Sequence, residues 1–122
     1  MNEQFGNACK NDDVEVVKLL LINKKNSDFA INYASMTGCK KIVKLLLTDY
    51  KVNLAKDTLT IQLAAQFGHT ECVKELSIWY LEHGYTVDDI INIINIHSAR
   101  IDLAKLREYL EELNMIKYAG RT

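Results

Sequence analysis

The side chains in this sequence that could bind a metal ion include three cysteines and three histidines. A zinc site could be assembled from Cys39, His69 and Cys72, because thiolate sulfur and imidazole nitrogen are ligands that zinc prefers. Cys39 and His69, however, hold equivalent positions in two copies of a repeated segment, and helices stacked in this way lie about 8–10 Å apart. Two ligands of one zinc ion lie within about 4 Å of each other. We therefore predict no metal site and no cofactor.

The patterns typical of enzymes are missing from the sequence. His83 and His97 are isolated, and no serine, cysteine or lysine has a partnered base at a recognisable spacing. No glycine-rich phosphate loop is present. The net charge of −1 provides no excess of cations for binding nucleic acid. We predict a protein with no catalytic activity, no small-molecule substrate and no nucleic-acid partner.

The cysteines also bear on the cellular compartment. Their number is odd, and Cys9, Cys39 and Cys72 lie within the repeat pattern, which argues against a disulfide framework. We expect reduced, metal-free thiols. The first residues lack the basic-then-apolar build of a signal peptide, and no apolar run approaches the ~20 residues that a membrane helix needs. These features predict a cytoplasmic protein without a membrane partner, although export without such a signal would leave no trace here.

The elements that position these residues are copies of one repeated segment. It reads DDVEVVKLLL at 12–21, GCKKIVKLLL at 38–47 and GHTECVKELS at 68–77. Its apolar residues recur at helical spacing, which predicts a long helix in each copy, preceded by a short amphipathic helix. We expect the three leucines of the last set below to be buried. The sets in register are Val16, Ile42 and Cys72; Val17, Val43 and Val73; Lys18, Lys44 and Lys74; and Leu20, Leu46 and Leu76.

A short helix with an alanine pair, a glycine turn and a long helix reading acidic-x-V-basic-x-L together resemble the ankyrin repeat. The best match is LTIQLAAQFGHTECVKEL at 59–76, and the best hairpin match is KVNLAKD at 51–57. The resemblance implies an all-α, ankyrin-type repeat solenoid of about four stacked helix-turn-helix units, the last a degenerate C-terminal capping unit. It implies a single domain at 1–122, with units at 2–26, 27–56, 57–85 and 86–114 and a tail at 115–122.

The connectors depart from the family pattern. Ankyrin repeats have a period of about 33 residues, whereas Ala8 to Ala34 is 26 residues and Ala34 to Ala64 is 30. The chain contains no proline and lacks the usual Thr-Pro-Leu-His start of the repeat. We therefore predict short hairpins, which puts the hairpin recognition typical of this family in question. At the turns, the resemblance implies that His69 makes a hydrogen bond within its own turn.

The last unit is predicted from its caps and its apolar residues. Thr86 followed by Asp89 indicates a capping box. The helices expected here run from Val87 to about His97 and from Ile101 to about Leu113. Three aromatic residues lie beside the boundary of the last unit: Trp79, Tyr80 and Tyr85. They either cover the junction with this unit or form an exposed binding anchor.

The resemblance implies a protein–protein interaction module, a monomer that binds one macromolecular partner through its concave face. The alternative is a structural or inhibitory subunit that occludes another protein's site, and an enzyme is the least favoured class. Tyr33 and Gln62 lie on the predicted groove and belong to no core ladder, while Phe29 and Leu59 could instead pack inward where the Thr-Pro pair is missing. The residues predicted to contact the partner are Asp28, Phe29, Asn32, Tyr33, Asp57, Thr58, Leu59 and Gln62.

Overall fold

The computed structural model describes residues 2–21, 27–56, 58–94 and 99–117, and this part of the chain is helical without any strand. Helices α1, α3 and α5 alternate with α2, α4 and α6, as the repeat pattern predicts, and α7 and α8 form a fourth pair. The helices are α1 (Asn2–Lys10), α2 (Val14–Leu20), α3 (Ser27–Thr37), α4 (Lys40–Thr48), α5 (Leu59–Gln66), α6 (Thr70–Glu82), α7 (Val87–Ile93) and α8 (Leu103–Lys117). The predicted longer second helix is found in the third unit only, because α2 (7 residues) and α4 (9) are shorter than α1 (9) and α3 (11). The predicted all-α solenoid of paired helices is confirmed.

The turn between the two helices of each of the first three units has one geometry. A residue in the left-handed region follows the first helix of the unit. The backbone N–H of the next residue then donates to an alanine carbonyl five positions earlier. The left-handed residues are Asp12 (φ 52°), Gly38 (φ 82°) and Gly68 (φ 76°). The bonds join Asp13 N to Ala8 O at 2.8 Å, Cys39 N to Ala34 O at 2.9 Å and His69 N to Ala64 O at 2.9 Å.

The core is a ladder of apolar side chains shared by neighbouring units, but its first rung differs from the prediction. Leu46 and Leu76 are fully buried, whereas Leu20 is only partly buried and Leu19 beside it is 67% exposed. Helix α4 packs against both α2 and α6, while the main described contacts of α2 are with α1 and α4. Leu20 therefore lacks the neighbour that covers the equivalent leucine of the inner units.

The connector between α4 and α5 is compact. It holds a left-handed residue at Lys51 (φ 51°) and a 3₁₀ turn at Leu54–Lys56. Val52 and Leu54 are buried, and the Tyr80 hydroxyl on α6 donates to the Leu54 carbonyl at 3.1 Å. The connector thus packs on the core, as expected for a shortened hairpin. Residues 22–26, which join α2 to α3, lie outside the described residues.

The fourth unit begins at the predicted capping box. The Thr86 hydroxyl accepts from Asp89 N, while the Asp89 carboxylate accepts from Thr86 N. Helix α7 ends at Ile93, because Ile94 is extended, so the predicted end near His97 is wrong. Residues 95–98 lie outside the described part of the chain. Helix α8 continues to Lys117, past its predicted end near Leu113, and residues 118–122 are not described.

The uneven burial of the leucine ladder gives a stability prediction. Leu46→Ala and Leu76→Ala should each lower the free energy of unfolding by roughly 2–5 kcal/mol, because each leaves a cavity in a closed core. Leu20→Ala should cost less than about 2 kcal/mol, since its site is open on one side. Urea denaturation monitored by circular dichroism measures all three.

Leu19→Ala is the matched control for these variants. Its side chain is 67% exposed, so the free energy of unfolding should change by no more than about 0.5 kcal/mol. If Leu20→Ala and Leu46→Ala lower the free energy of unfolding equally, the inference that Leu20 is open on one side is contradicted.

Candidate interaction surface

The residues predicted to contact a partner lie on two helices that pack against each other, α3 and α5. Phe29, Asn32 and Tyr33 belong to α3, while Leu59 and Gln62 belong to α5 and Thr58 precedes it as the N-cap. Phe29 and Leu59 are equivalent by the 30-residue repeat, as are Asn32 and Gln62. Asp57 and the side chain of Asp28 lie outside the described residues. The structure thus brings the remaining predicted residues onto adjacent helices.

Two large apolar side chains are open to solvent on these helices. Phe29 is 43% exposed and Leu59 is 46% exposed, which contradicts the alternative in which they pack inward. The Phe29 ring lies 6.2 Å from the Tyr33 ring, centroid to centroid. Tyr33 in turn meets the buried Phe5 edge-on at 5.7 Å. A row of rings therefore runs from the core outward and holds Phe29 in place.

Gly6 allows this row of rings to pack against α1. A Cβ atom added at Gly6 would lie 2.6 Å from the Tyr33 hydroxyl oxygen, closer than such atoms pack. Glycine in a helix interior ordinarily costs stability relative to alanine. Its presence in α1 is explained by the close approach of Tyr33 from the next repeat.

The polar residues of the predicted surface make hydrogen bonds between repeats. The Thr60 hydroxyl on α5 donates to the Asn32 side-chain oxygen at 2.5 Å. The Gln62 amide donates to the Ile93 carbonyl on α7 at 3.0 Å. Gln62 therefore connects the third unit to the fourth. Thr58 makes no capping hydrogen bond with its side chain.

The turn residues that precede α2, α4 and α6 make side-chain hydrogen bonds with different partners. Asp13 accepts from the Val16 backbone N–H within its own turn, at 3.2 Å. His69 Nε2 instead donates to the Met36 carbonyl of the preceding repeat, at 3.0 Å, so the predicted bond within its own turn is wrong. Cys39 likewise reaches back to the first repeat. Among the described residues, no group of three or more His, Cys, Asp or Glu side chains could hold a metal ion.

The aromatic residues late in α6 are packed. Trp79 is 9% exposed and stacks on His83 with ring centroids 3.8 Å apart, while Tyr80 and Tyr85 meet edge-on at 5.0 Å. Trp79 and His83 form one wall of an open groove of about 710 Å³ whose opposite wall includes Leu47 of α4. Trp79 is therefore largely enclosed, which disfavours the alternative of an exposed anchor at this position.

Charged side chains cross between α4 and α6. Lys40 lies 3.4 Å from Glu71 and 3.8 Å from Glu75, and Lys74 lies 3.5 Å from Glu71. The charge of Lys74, followed by a hydrogen bond from Lys40, lowers the pKa of the Glu71 carboxyl. The Lys40–Glu71 pair is solvent-exposed, so it contributes little to stability. Lys40 joins α4 to α6 through opposite charges, whereas Phe29 and Leu59 expose apolar atoms.

Comparison with known proteins agrees with this geometry. A family model described as ankyrin repeats (3 copies) matches residues 5–89. The match covers more than half of the chain, which therefore belongs to the ankyrin repeat family. Ankyrin repeats are generally protein–protein interaction modules, and the family is typically non-enzymatic. Searches of curated proteins and of solved structures found no match.

Among the described residues, no helix is long and apolar enough to cross a lipid bilayer.

The bond from Gln62 to α7 can be tested by truncation. Gln62→Ala removes the donor to the Ile93 carbonyl, so the free energy of unfolding should fall by about 0.5–1.5 kcal/mol. Hydrogen exchange of the α7 amides should accelerate by a larger factor than exchange of the α3 amides, because the lost contact lies at the last junction. Mass spectrometry of exchanged peptides measures both.

Gln66→Ala provides the control, since Gln66 is an exposed residue of the same helix. It should leave the exchange rate in α7 unchanged. If both variants behave alike, the bond from Gln62 does not hold the fourth unit.

Proposed function

We propose that this protein binds a protein partner through the surface of α3 and α5, with Phe29, Tyr33 and Leu59 as its contact residues. We name these three residues the Phe29–Leu59 patch. The observation that carries the proposal is the exposure of Phe29 and Leu59, at 43% and 46%, on neighbouring helices in register. Transfer of exposed apolar atoms from water into an interface lowers the free energy of the complex.

The support for Phe29 favours binding over chance exposure. Its ring rests on Tyr33, which rests on Phe5, so its position is limited before any partner arrives. A side chain that is already ordered loses less conformational entropy on binding. Binding energy at interfaces concentrates in a few anchors of this kind, often aromatic. The Phe29–Leu59 patch therefore has the exposed, partly ordered apolar side chains expected of interface anchors.

The surroundings of the patch indicate which residues contribute energy. Asn32 and Gln62 lie one helical turn further along, and each is already hydrogen-bonded to a neighbouring repeat. They form a polar border whose hydrogen bonds do not need to be rebuilt on binding. The connector after α4 packs on the core through Val52 and Leu54, so it does not reach outward as a long finger. The partner is expected to present an apolar segment to the helices themselves.

Affinity capture tests the proposal. The immobilised wild-type protein is incubated with lysate of its source cells, and the retained proteins are identified by quantitative mass spectrometry. The double variant Phe29→Ala with Leu59→Ala should bind the purified partner at least about tenfold more weakly, since loss of an anchor costs more than about 1 kcal/mol. Titration calorimetry measures the affinity of both forms.

Phe67→Ala is the matched control. Phe67 is 50% exposed but lies at the opposite end of α5, as its C-cap residue. This variant should retain wild-type affinity, and both variants should keep their melting temperatures. Full affinity in the double variant would refute the assignment of the surface, and loss of affinity in Phe67→Ala would point to the other end of the helices.

A further inference from the structure

Two cysteines from different repeats meet at the first junction of the stack. Cys9 lies near the end of α1, and Cys39 lies in the turn before α4. The Cys39 thiol donates to the Cys9 carbonyl at 3.1 Å. Neither is in a disulfide. The Cys39 sulfur therefore lies against the residue that carries the second thiol, across the boundary between the first and second units.

This arrangement occurs at one junction only among the repeats. By the repeat register, the positions equivalent to Cys9 are Ser35 and Ala65, and the position equivalent to Cys39 in the next unit is His69. His69 uses its side chain to reach the Met36 carbonyl. The ankyrin architecture at this contact is thus satisfied without a thiol, and the pairing of two thiols is a particular property of the first junction.

We propose that Cys9 and Cys39 form an oxidation site at which a hydroperoxide converts the two thiols into an intramolecular disulfide. In the first step Cys39 sulfur attacks the peroxide, the O–O bond breaks, and Cys39 becomes a sulfenic acid while an alcohol or water leaves. In the second step Cys9 sulfur attacks the Cys39 sulfur, the S–O bond breaks and water leaves. The peroxide is reduced by two electrons, which the two thiols supply.

The surroundings of the three cysteines favour Cys39 as the attacking group. The neighbouring Cys9 thiol lowers the pKa of Cys39, burial opposes this, and the Thr37 hydroxyl lowers the pKa further. The Thr37 oxygen lies 3.3 Å from the Cys39 sulfur. Burial, as the largest cause, raises the pKa of Cys72 to about 12. Because the thiolate is the nucleophile, Cys39 should react before Cys72.

The exposed fractions agree with this order. Cys39 is 7% exposed, against 2% for Cys9 and 1% for Cys72. Cys39 also lies in a turn at the junction of the first and second units, where α2 packs mainly against α1 and α4. Local opening at such a site costs less than opening of an inner unit. A small peroxide therefore reaches Cys39 more easily than it reaches the other two thiols.

The disulfide would join the first repeat covalently to the second. It would close a loop between residues 30 positions apart in the sequence, which restricts the unfolded chain and so favours the folded state. Among the described residues, the first unit packs against one other unit, whereas the second and third units pack between two. Oxidation at this junction would therefore hold the terminal unit in place.

Peroxide treatment of the full, reduced protein tests the proposal. Hydrogen peroxide is added at pH 7, the remaining thiols are alkylated at successive times, and digested samples are analysed by mass spectrometry without reduction. The expected product is a peptide pair linked through Cys9 and Cys39, with Cys72 alkylated. The oxidised protein should melt at a higher temperature, and dithiothreitol should reverse both changes.

Each variant replaces one thiol by a small side chain. Cys9→Ala introduces the residue type of Ala65, and Cys39→Ser keeps a small polar group in the turn; both should abolish the linked peptide and the shift in melting temperature. Cys72→Ser should form the linked peptide at the wild-type rate. Variants with a cooperative melting transition are compared.

Several results would overturn the proposal. They are oxidation of Cys72 as fast as Cys39, a bridge that involves Cys72 or a second molecule, and conversion of Cys39 to a sulfinic acid while Cys9 stays alkylated. A Cys9–Cys39 bridge that forms only in the presence of urea would also overturn it, because the folded contact would then have no part in the reaction.

Discussion

The left-handed turn at the ends of α1, α3 and α5 is the constraint on which the stack depends. Asp12, Gly38 and Gly68 adopt it in the first three units, and each reverses the chain so that the second helix of the unit returns along the first. At Gly38 the constraint is double, because an added Cβ would also lie 2.5 Å from His69 Nδ1 of the next repeat. The same backbone step therefore pairs the helices within a unit and leaves room for the neighbouring unit.

Much of the fold could be predicted from the sequence, because equivalent residues recur in register. The alternation of helices, the turn at Gly38 and the capping box at Thr86 are all visible as residue types at fixed offsets. Periodicity does not show where the stack ends, so the partial burial of Leu20 was missed. It also does not show the conformation of Asp12, since aspartate enters the left-handed region less readily than glycine.

The candidate surface was predictable in position but not in the orientation of its side chains. The register places Phe29 opposite Leu59 whether they point outward or inward, and only the structure distinguishes these cases. The bonds of Asn32, Gln62 and His69 end on residues 28, 31 and 33 positions away. Those partners depend on the lengths of the connectors, which vary from unit to unit. No local pattern in the sequence records them.

The packing of each helix pair against adjacent pairs alone has a consequence for how the chain folds. Among the described residues, the main helix–helix contacts join helices of one unit or of adjacent units. Native contacts therefore link residues up to about one repeat apart in the sequence. Proteins with such local contacts fold quickly, and in a linear array the order of folding follows the strength of successive junctions. Helices α3 to α6 share the most completely buried ladder, so we expect a folding nucleus there, with the outer units adding to it in turn.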